Sequence, residues 1–355
     1  MSIQRPFPTN LHAGVALLLF WLLTPVHGSA QDAQALGGGT CSLTGIRTDV
    51  RPDPAGQPTE VSVAMFMVDL TKVDDVAQSL TGDFMVLLSW TDPRLAELEG
   101  CQLPLANVWH PQLDFLNSGL MQPRRSEDAD QVEIGPEGMV QHQQRYFGSL
   151  ATYQSLKDFP LDQHVFQISL LSPEYAEDEL SLVVNDRQTG RRDLLNISDW
   201  TIDSVTATID TYVVETTGRR LSMFEFGISA QRQVGFYIWK VMVPLTLIVA
   251  MSWTVFWVSP AQFGPQIGLS ATAMLTLIAF QFAMVSVLPK LAYFTVLDEF
   301  IVGSTILVFV ALVEAVTASY LVSKERTTMA LRLDAVSRWA FPAAFGLLIL
   351  LVFAV

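Results

Sequence analysis

Between Gly264 and Leu288 the chain reads GPQIGLSATAMLTLIAFQFAMVSVL. The run is long enough to cross a bilayer, yet it carries Gln266, Ser270, Thr272, Thr276, Gln281 and Ser286. A hydroxyl or amide facing hydrocarbon has no hydrogen-bond partner. Polar groups inside a span therefore face a bundle interior or a water-filled cavity, and this pattern points to a helix that lines a pore. Gly268, Thr272, Leu275, Ala279, Phe282 and Ser286 recur at steps of four and three and so share one helical face. Gln266, Ser270 and Gln281 form a second, comparably polar face. Periodicity alone does not choose between the two.

Other reactive side chains are sparse. The strings HExxH, GxSxG and the phosphate-binding loop are missing, and His12, His27, His110, His142 and His164 are isolated along the sequence. No enzyme and no cofactor are expected. Cys41 and Cys101 are the only cysteines. They form no CxxC pair, so zinc has no support, whereas a disulfide between them is open in an exported segment. Glu127, Asp128 and Asp130 read either as a divalent-cation cluster or as a solvated acidic loop. Trp90 and Trp109 read as core residues.

The elements that must position these groups fall into three parts. Residues 1–30 read as a signal peptide: Arg5 precedes the apolar run Ala13–Leu23, and Gly28-Ser29-Ala30 offers small residues for cleavage. Residues 31–235 are exported and β-rich. Phe224, Phe226 and Ile228 alternate with Glu225, Gly227 and Ser229, and other short apolar runs are separated by turns such as RPDPAGQP and NDRQTGRRD. Such strands without helical periods argue for an antiparallel sandwich. This part carries roughly 30 acidic against about 14 basic side chains, which disfavours nucleic acid and attracts cations. Residues 236–355 supply four apolar spans, near 236–257, 264–288, 295–322 and 339–355. The last is barely long enough to cross. Pro244 is expected to kink the first span. Lys324, Arg326, Arg332 and Arg338 put the loop between spans three and four, about 15 residues long, on the cytoplasmic side, and both termini outside.

Several strings stand in one order: Trp90-Thr91-Asp92-Pro93-Arg94-Leu95, Trp109-His110-Pro111, Phe159-Pro160-Leu161-Asp162-Gln163, Arg232, Phe236-Tyr237, Pro244 and Leu288-Pro289-Lys290. From about Pro58 onward the chain resembles the pentameric ligand-gated ion channels, the Cys-loop receptor superfamily. Thr152 and Phe166 stand where animal receptors carry the cysteines that flank the FPLDQ segment, and no large cytoplasmic loop precedes the fourth span. The likeness is therefore to the bacterial branch.

The resemblance implies an all-β, immunoglobulin-like periplasmic sandwich followed by an all-α, four-helix transmembrane domain in the bacterial inner membrane. It implies a homopentamer in the lipid bilayer that conducts monovalent ions when a small-molecule or ion agonist binds. It selects Gly268, Thr272, Leu275, Ala279, Phe282 and Ser286 as pore-lining. Asp74, Asp75, Phe159, Pro160, Asp162, Arg232, Pro289 and Lys290 fall where the family couples binding to gating. Phe115, Tyr175, Tyr212 and Arg219 match its ligand-binding loops, although Met85 and Leu116 leave the usual aromatic cage incomplete. The inner mouth, Gly264-Pro265-Gln266, is uncharged, whereas the exported domain is acidic, so the expectation is weak cation selectivity. The alternatives are an anion-selective channel of the same family or a non-conducting sensor or scaffold.

Overall fold

The computed structural model describes residues 41–43, 48, 50–52, 56–126, 129–285 and 291–353. The expected signal peptide lies outside these residues, as do Glu127, Asp128, Ser286, Pro289 and Lys290.

Twelve strands build the first part: β1 (Thr59–Asp74), β2 (Ser79–Thr91), β3 (Gln102–Pro104), β4 (Asp114–Phe115), β5 (Gln122–Pro123), β6 (Gln131–Ile134), β7 (Met139–Ala151), β8 (Gln163–Leu171), β9 (Leu180–Val184), β10 (Gly190–Arg191), β11 (Trp200–Val213) and β12 (Arg220–Arg232). One sheet has the order β10-β1-β2-β7-β6-β3, with β9 also on β1 and β5 also on β7. The other has the order β11-β12-β8-β4 and is antiparallel throughout. Their inner faces meet as a sandwich. Val61, Val63 and Met65 of β1 and Phe84, Val86 and Trp90 of β2 bury against the same core as Phe166 and Ile168 of β8 and Phe224, Phe226 and Ile228 of β12. Alternation along each strand puts every second side chain there, and burying each large one contributes about 1.5–3 kcal/mol. Trp90 and Trp109 are both core residues and meet edge to face at 5.9 Å. A disulfide joins Cys41 to Cys101.

Four helices follow, each long and apolar enough to cross a membrane: α1 (Gly235–Trp257), α2 (Phe263–Met284), α3 (Val296–Ser323) and α4 (Thr327–Phe353). The irregularity expected of α1 is a widened turn over Ile238–Met242, directly before the segment that begins at Val243 and carries Pro244 in its first turn. A wide turn of this kind accommodates the proline's missing N–H. Thr295 starts α3 with a reciprocal capping box to Asp298. The fourth helix corrects the sequence reading, because it starts at Thr327 and runs 27 residues rather than beginning near Trp339. Only 324–326 separate it from α3. Arg332 and Arg338 belong to its first turns, where their charge hid the helical continuation. Arg338 anchors that end by donating from Nε to the Phe256 carbonyl at 2.8 Å, while Trp253 Nε1 donates to the Arg338 carbonyl at 3.0 Å.

Candidate functional site

The two polar stripes of α2 have different fates. Gln266, Ser270, Ala273 and Leu277 are buried against neighbouring helices. The Gln266 Oε1 accepts from Ser319 of α3 at 3.1 Å, and Gln281 Nε2 donates to Thr305 of α3 at 2.7 Å. The amide stripe is therefore the packing face. Gly268, Thr272, Leu275, Ala279 and Phe282 lie on the opposite side and are covered by none of the other helices: Leu275 is 68% exposed and Phe282 75%. Thr272 keeps its hydroxyl satisfied by donating to the Gly268 carbonyl at 2.8 Å. This face combines apolar bulk with a hydroxyl whose oxygen still has acceptor capacity.

At the boundary between strands and helices the chain gathers a charge cluster around Arg232, the last residue of β12. Its Nε and Nη2 donate to Asp162 Oδ1 and Oδ2 at 2.8 and 3.0 Å. Its Nη1 and Nη2 donate to Asp75 Oδ2 and Oδ1 at 2.8 and 2.9 Å. Both contacts are bidentate, the geometry a planar guanidinium is built for. The guanidinium lies over Trp200 at 4.3 Å and Phe159 at 4.8 Å. Burial pushes the Asp162 carboxyl up, but the hydrogen bond from His164 and then the bonds and charge of Arg232 outweigh it, leaving the group at about 2. Burial also works against the Arg232 cation, and its two carboxylate partners reverse that, raising it above the ordinary arginine range.

The same loop reaches into the helices. Phe159, Leu156, Val241 of α1 and Leu297 of α3 form one buried cluster, and Phe159 meets Tyr237 edge to face at 4.8 Å. The peptide before Pro160 is cis. The carbonyls of Lys157 and Phe159 accept from Val296 and Leu297 N–H at 3.0 and 3.1 Å, and the Leu156 N–H donates to the Tyr293 hydroxyl at 3.0 Å. Phe159, Pro160 and Asp162 thus join the first turn of α3 to the end of β12. Asp74 stands apart. It accepts from the N–H groups of Val76 and Ala77 and from Lys72, closing its own turn, and the lysine bond followed by those amides holds its carboxyl below the usual range. Of the two neighbouring acids, Asp75 alone enters the cluster.

The four ligand-loop residues are not brought together. Phe115 pairs with Leu170 in register and turns to the sandwich core, edge to face with Tyr146 at 5.0 Å. Tyr212 packs with Leu171, Leu221 and Met223 in a separate cluster. Adjacent positions of β8 face opposite ways, which separates Phe115 from Tyr212. The Tyr175 hydroxyl accepts from Trp109 Nε1 at 2.9 Å. Arg219 donates to the carbonyls of Pro173 and Glu174, at 3.4 and 2.8 Å, lacing the β11–β12 hairpin tip onto the loop that carries Tyr175. Tyr175 and Arg219 border one loop.

Two participants were missed in the sequence, and Asp130 of the acidic loop was misread. His164 contacts Asp162, Trp200 covers Arg232, and Asp130 is buried rather than solvated, accepting from His142 at 2.7 Å and Gln144 at 2.9 Å. Burial lowers the affinity of His142 for its proton, although Asp130 opposes that. Only the Asp162–His164 pair had a local signal, because residues two apart share one face of a strand. The others are juxtaposed by the fold.

A β-sandwich leading through a buried charge cluster into four membrane-length helices defines a membrane receptor architecture. The chain belongs to the neurotransmitter-gated ion-channel family, a family of ion channels and not of enzymes: residues 42–234 match the model of its ligand-binding domain, and residues 241–331 that of its transmembrane region. It is 26% identical over 346 residues to a proton-gated ion channel of Gloeobacter violaceus, covering 95% of this chain and 90% of that protein. It is also 26% identical over 293 residues to a gamma-aminobutyric acid receptor subunit beta-4 of Gallus gallus, covering 79% of this chain and 59% of that subunit. The protein is thus a multi-pass membrane protein of a ligand-gated channel family.

Proposed function

We propose that five copies of this chain surround an ion pore lined by the uncovered face of α2, in the inner membrane, with both termini periplasmic. The observation that carries this reading is the division of α2. Gln266 Oε1 and Gln281 Nε2 bond to α3, while Gly268, Thr272, Leu275, Ala279 and Phe282 are left for another surface. Rings of Leu275 and Phe282 would close the pore by excluding water, and Thr272 would offer hydroxyl oxygens near the cytoplasmic end. A small-molecule or ion agonist binds the sandwich domain beside the loop bordered by Tyr175 and Arg219.

The binding signal passes through Arg232. Its carboxylate partners sit on the β1–β2 turn and on the Phe159–Asp162 loop, and that loop is hydrogen-bonded to the first turn of α3. A displacement of β12 therefore moves the loop with it. An acidic outer domain above an uncharged inner mouth supports weak selectivity for monovalent cations. The cytoplasmic connections, 258–262 and 324–326, are too short to carry a signalling module, which disfavours a non-conducting sensor.

Two measurements on the purified protein test the reading. Light scattering in detergent should give five times the chain mass. Planar-bilayer recordings in a salt gradient should reverse near the cation equilibrium potential. A monomer or dimer that conducts nothing overturns the proposal, and reversal near the chloride potential overturns its selectivity alone.

A further inference from the structure

The outward face of the first sheet carries a row of polar side chains that neither the pore nor the coupling path uses. Strand register sets Ser89 of β2 beside Gln141 of β7, Gln141 beside Glu133 of β6, and Glu133 beside Gln102 of β3. Gln143 and Gln131 lie two positions along their strands and so share that face. Together they floor a cleft of about 620 Å³, walled by Arg125 and by Asn185, Arg187 and Gln188 of the β9–β10 loop. Small-molecule sites span roughly 300–1,000 Å³. Tyr175, Tyr212 and Arg219 are not among the lining residues.

The hydrogen-bonding capacity of this surface is unspent. Among the described residues, the side chains of Gln102, Gln131 and Glu133 have no hydrogen-bond partner. Gln141 and Gln143 donate only to the weakly accepting sulfurs of Met139 and Met85. Asn185 Nδ2 donates to Gln188 Oε1 at 3.0 Å, which leaves the Gln188 N–H donors. A side-chain amide offers two donors and a carbonyl acceptor. Neighbouring strands stand about 5 Å apart, and successive outward residues about 7 Å. The result is a grid of donors and acceptors spread over the width of a small molecule.

Charge does not select the ligand. Arg125 is turned to Asp130 at 3.1 Å and to the Gln143 carbonyl, which leaves Glu133 and Arg187 as opposite charges in the lining. The lining holds no Phe, Tyr or Trp, so a cation–π cage for an amine is missing. A hydroxyl both donates and accepts, and it is the group that this surface matches. We propose that the cleft binds an uncharged, polyhydroxylated ligand of the saccharide class, with Gln141 and Glu133 at its centre and Gln102 at its edge. The proposal goes beyond the agonist reading and stands or falls independently of whether the protein conducts.

Saturation-transfer-difference NMR on the assembled protein tests it, in nanodiscs without glycolipid because sugar-headed detergents would compete. The probes are glucose, maltose, cellobiose and chitobiose, with choline and acetate as charged comparisons. At least one saccharide should bind. Gln141→Leu, which keeps bulk and removes the amide, should weaken that saccharide about tenfold, the loss of one or two hydrogen bonds. Gln102→Leu at the end of the row should weaken it too, whereas Gln167→Leu on the exposed face of the second sheet should not. All three glutamines are exposed, and unchanged unfolding midpoints show that the variants fold. Silence of every saccharide, which a cleft covered by a second copy would also give, overturns the proposal. So does equal binding by wild type and both row variants, an equal loss in Gln167→Leu, or binding of choline or acetate in place of the saccharides.

Discussion

Replacing Arg232 by alanine should be the most damaging single change in the sandwich domain. The substitution deletes four hydrogen bonds and leaves the carboxylates of Asp162 and Asp75 without their cation, the former 2% exposed. The lowering of the Asp162 carboxyl from 3.8 to about 2 corresponds to about 2 kcal/mol of net interaction, shared between the His164 bond and the bonds and charge of Arg232. Stranding a buried partner raises the loss to about 3–5 kcal/mol. The pH dependence carries a sign. A carboxyl depressed in the folded state stabilises above its unfolded value, so the wild-type contribution is complete above about pH 4 and disappears as pH falls towards 2. In Arg232→Ala the stranded, buried Asp162 carboxyl takes up a proton on folding, so acidification from pH 7 to 5 should recover stability instead of leaving it flat. Unfolding of purified protein followed by tryptophan fluorescence measures both effects, with Trp200 only 4.3 Å from the guanidinium as a local reporter. A loss well under 1 kcal/mol, or a mutant profile parallel to the wild type, would refute the idea that this arginine is held by the buried Asp162 and the partly buried Asp75.

Further outcomes follow from the same contacts. Asp75→Ala should impair both stability and channel opening, whereas Asp74→Ala, which loses only contacts within its own turn, should cost less than about 1 kcal/mol and leave gating intact; paired melts and recordings compare them. Gln281→Ala removes one hydrogen bond to Thr305 and should lower stability by about 1 kcal/mol with no shift in reversal potential. Cys41→Ser with Cys101→Ser opens a bridge spanning 60 positions and should lower stability by about 4 kcal/mol on chain-entropy grounds, read as a fall in the unfolding midpoint.

The architecture was legible because its signals are local. Alternation at Phe224, Phe226 and Ile228 marks a strand with one buried face, and apolar length marks the membrane helices. The N-terminal end of the fourth helix was hidden because Arg332 and Arg338 broke the apolar run while the helix continued through them. The faces of α2 were legible as two stripes; periodicity did not choose between them, the family resemblance did, and the physical ground for the packing face is that Thr305 and Ser319 of α3 stand opposite Gln281 and Gln266. Arg232 stood out by its position before the first span. Its partners lie 70 and 157 residues away, and no periodicity reports contacts at that range. Phe115 matched a ligand loop by order in the sequence. Its register against Leu170 is what turns it into the core.

The claim at the centre of this account is that the uncovered face of α2 lines the conducting path, with Leu275 as its apolar constriction. Five leucines converging there would exclude water, and an ion cannot shed its hydration without replacement ligands. The decisive measurement is resting conductance in planar bilayers of Leu275→Ser beside Met274→Ser, a position about 100° away around the helix and partly buried in the bundle. Leu275→Ser should hydrate the closed pore and raise resting conductance well above wild type, while Met274→Ser should leave it near the wild-type level. Equal conductance in the two variants, or a Leu275→Ser protein as silent at rest as the wild type, would contradict the account.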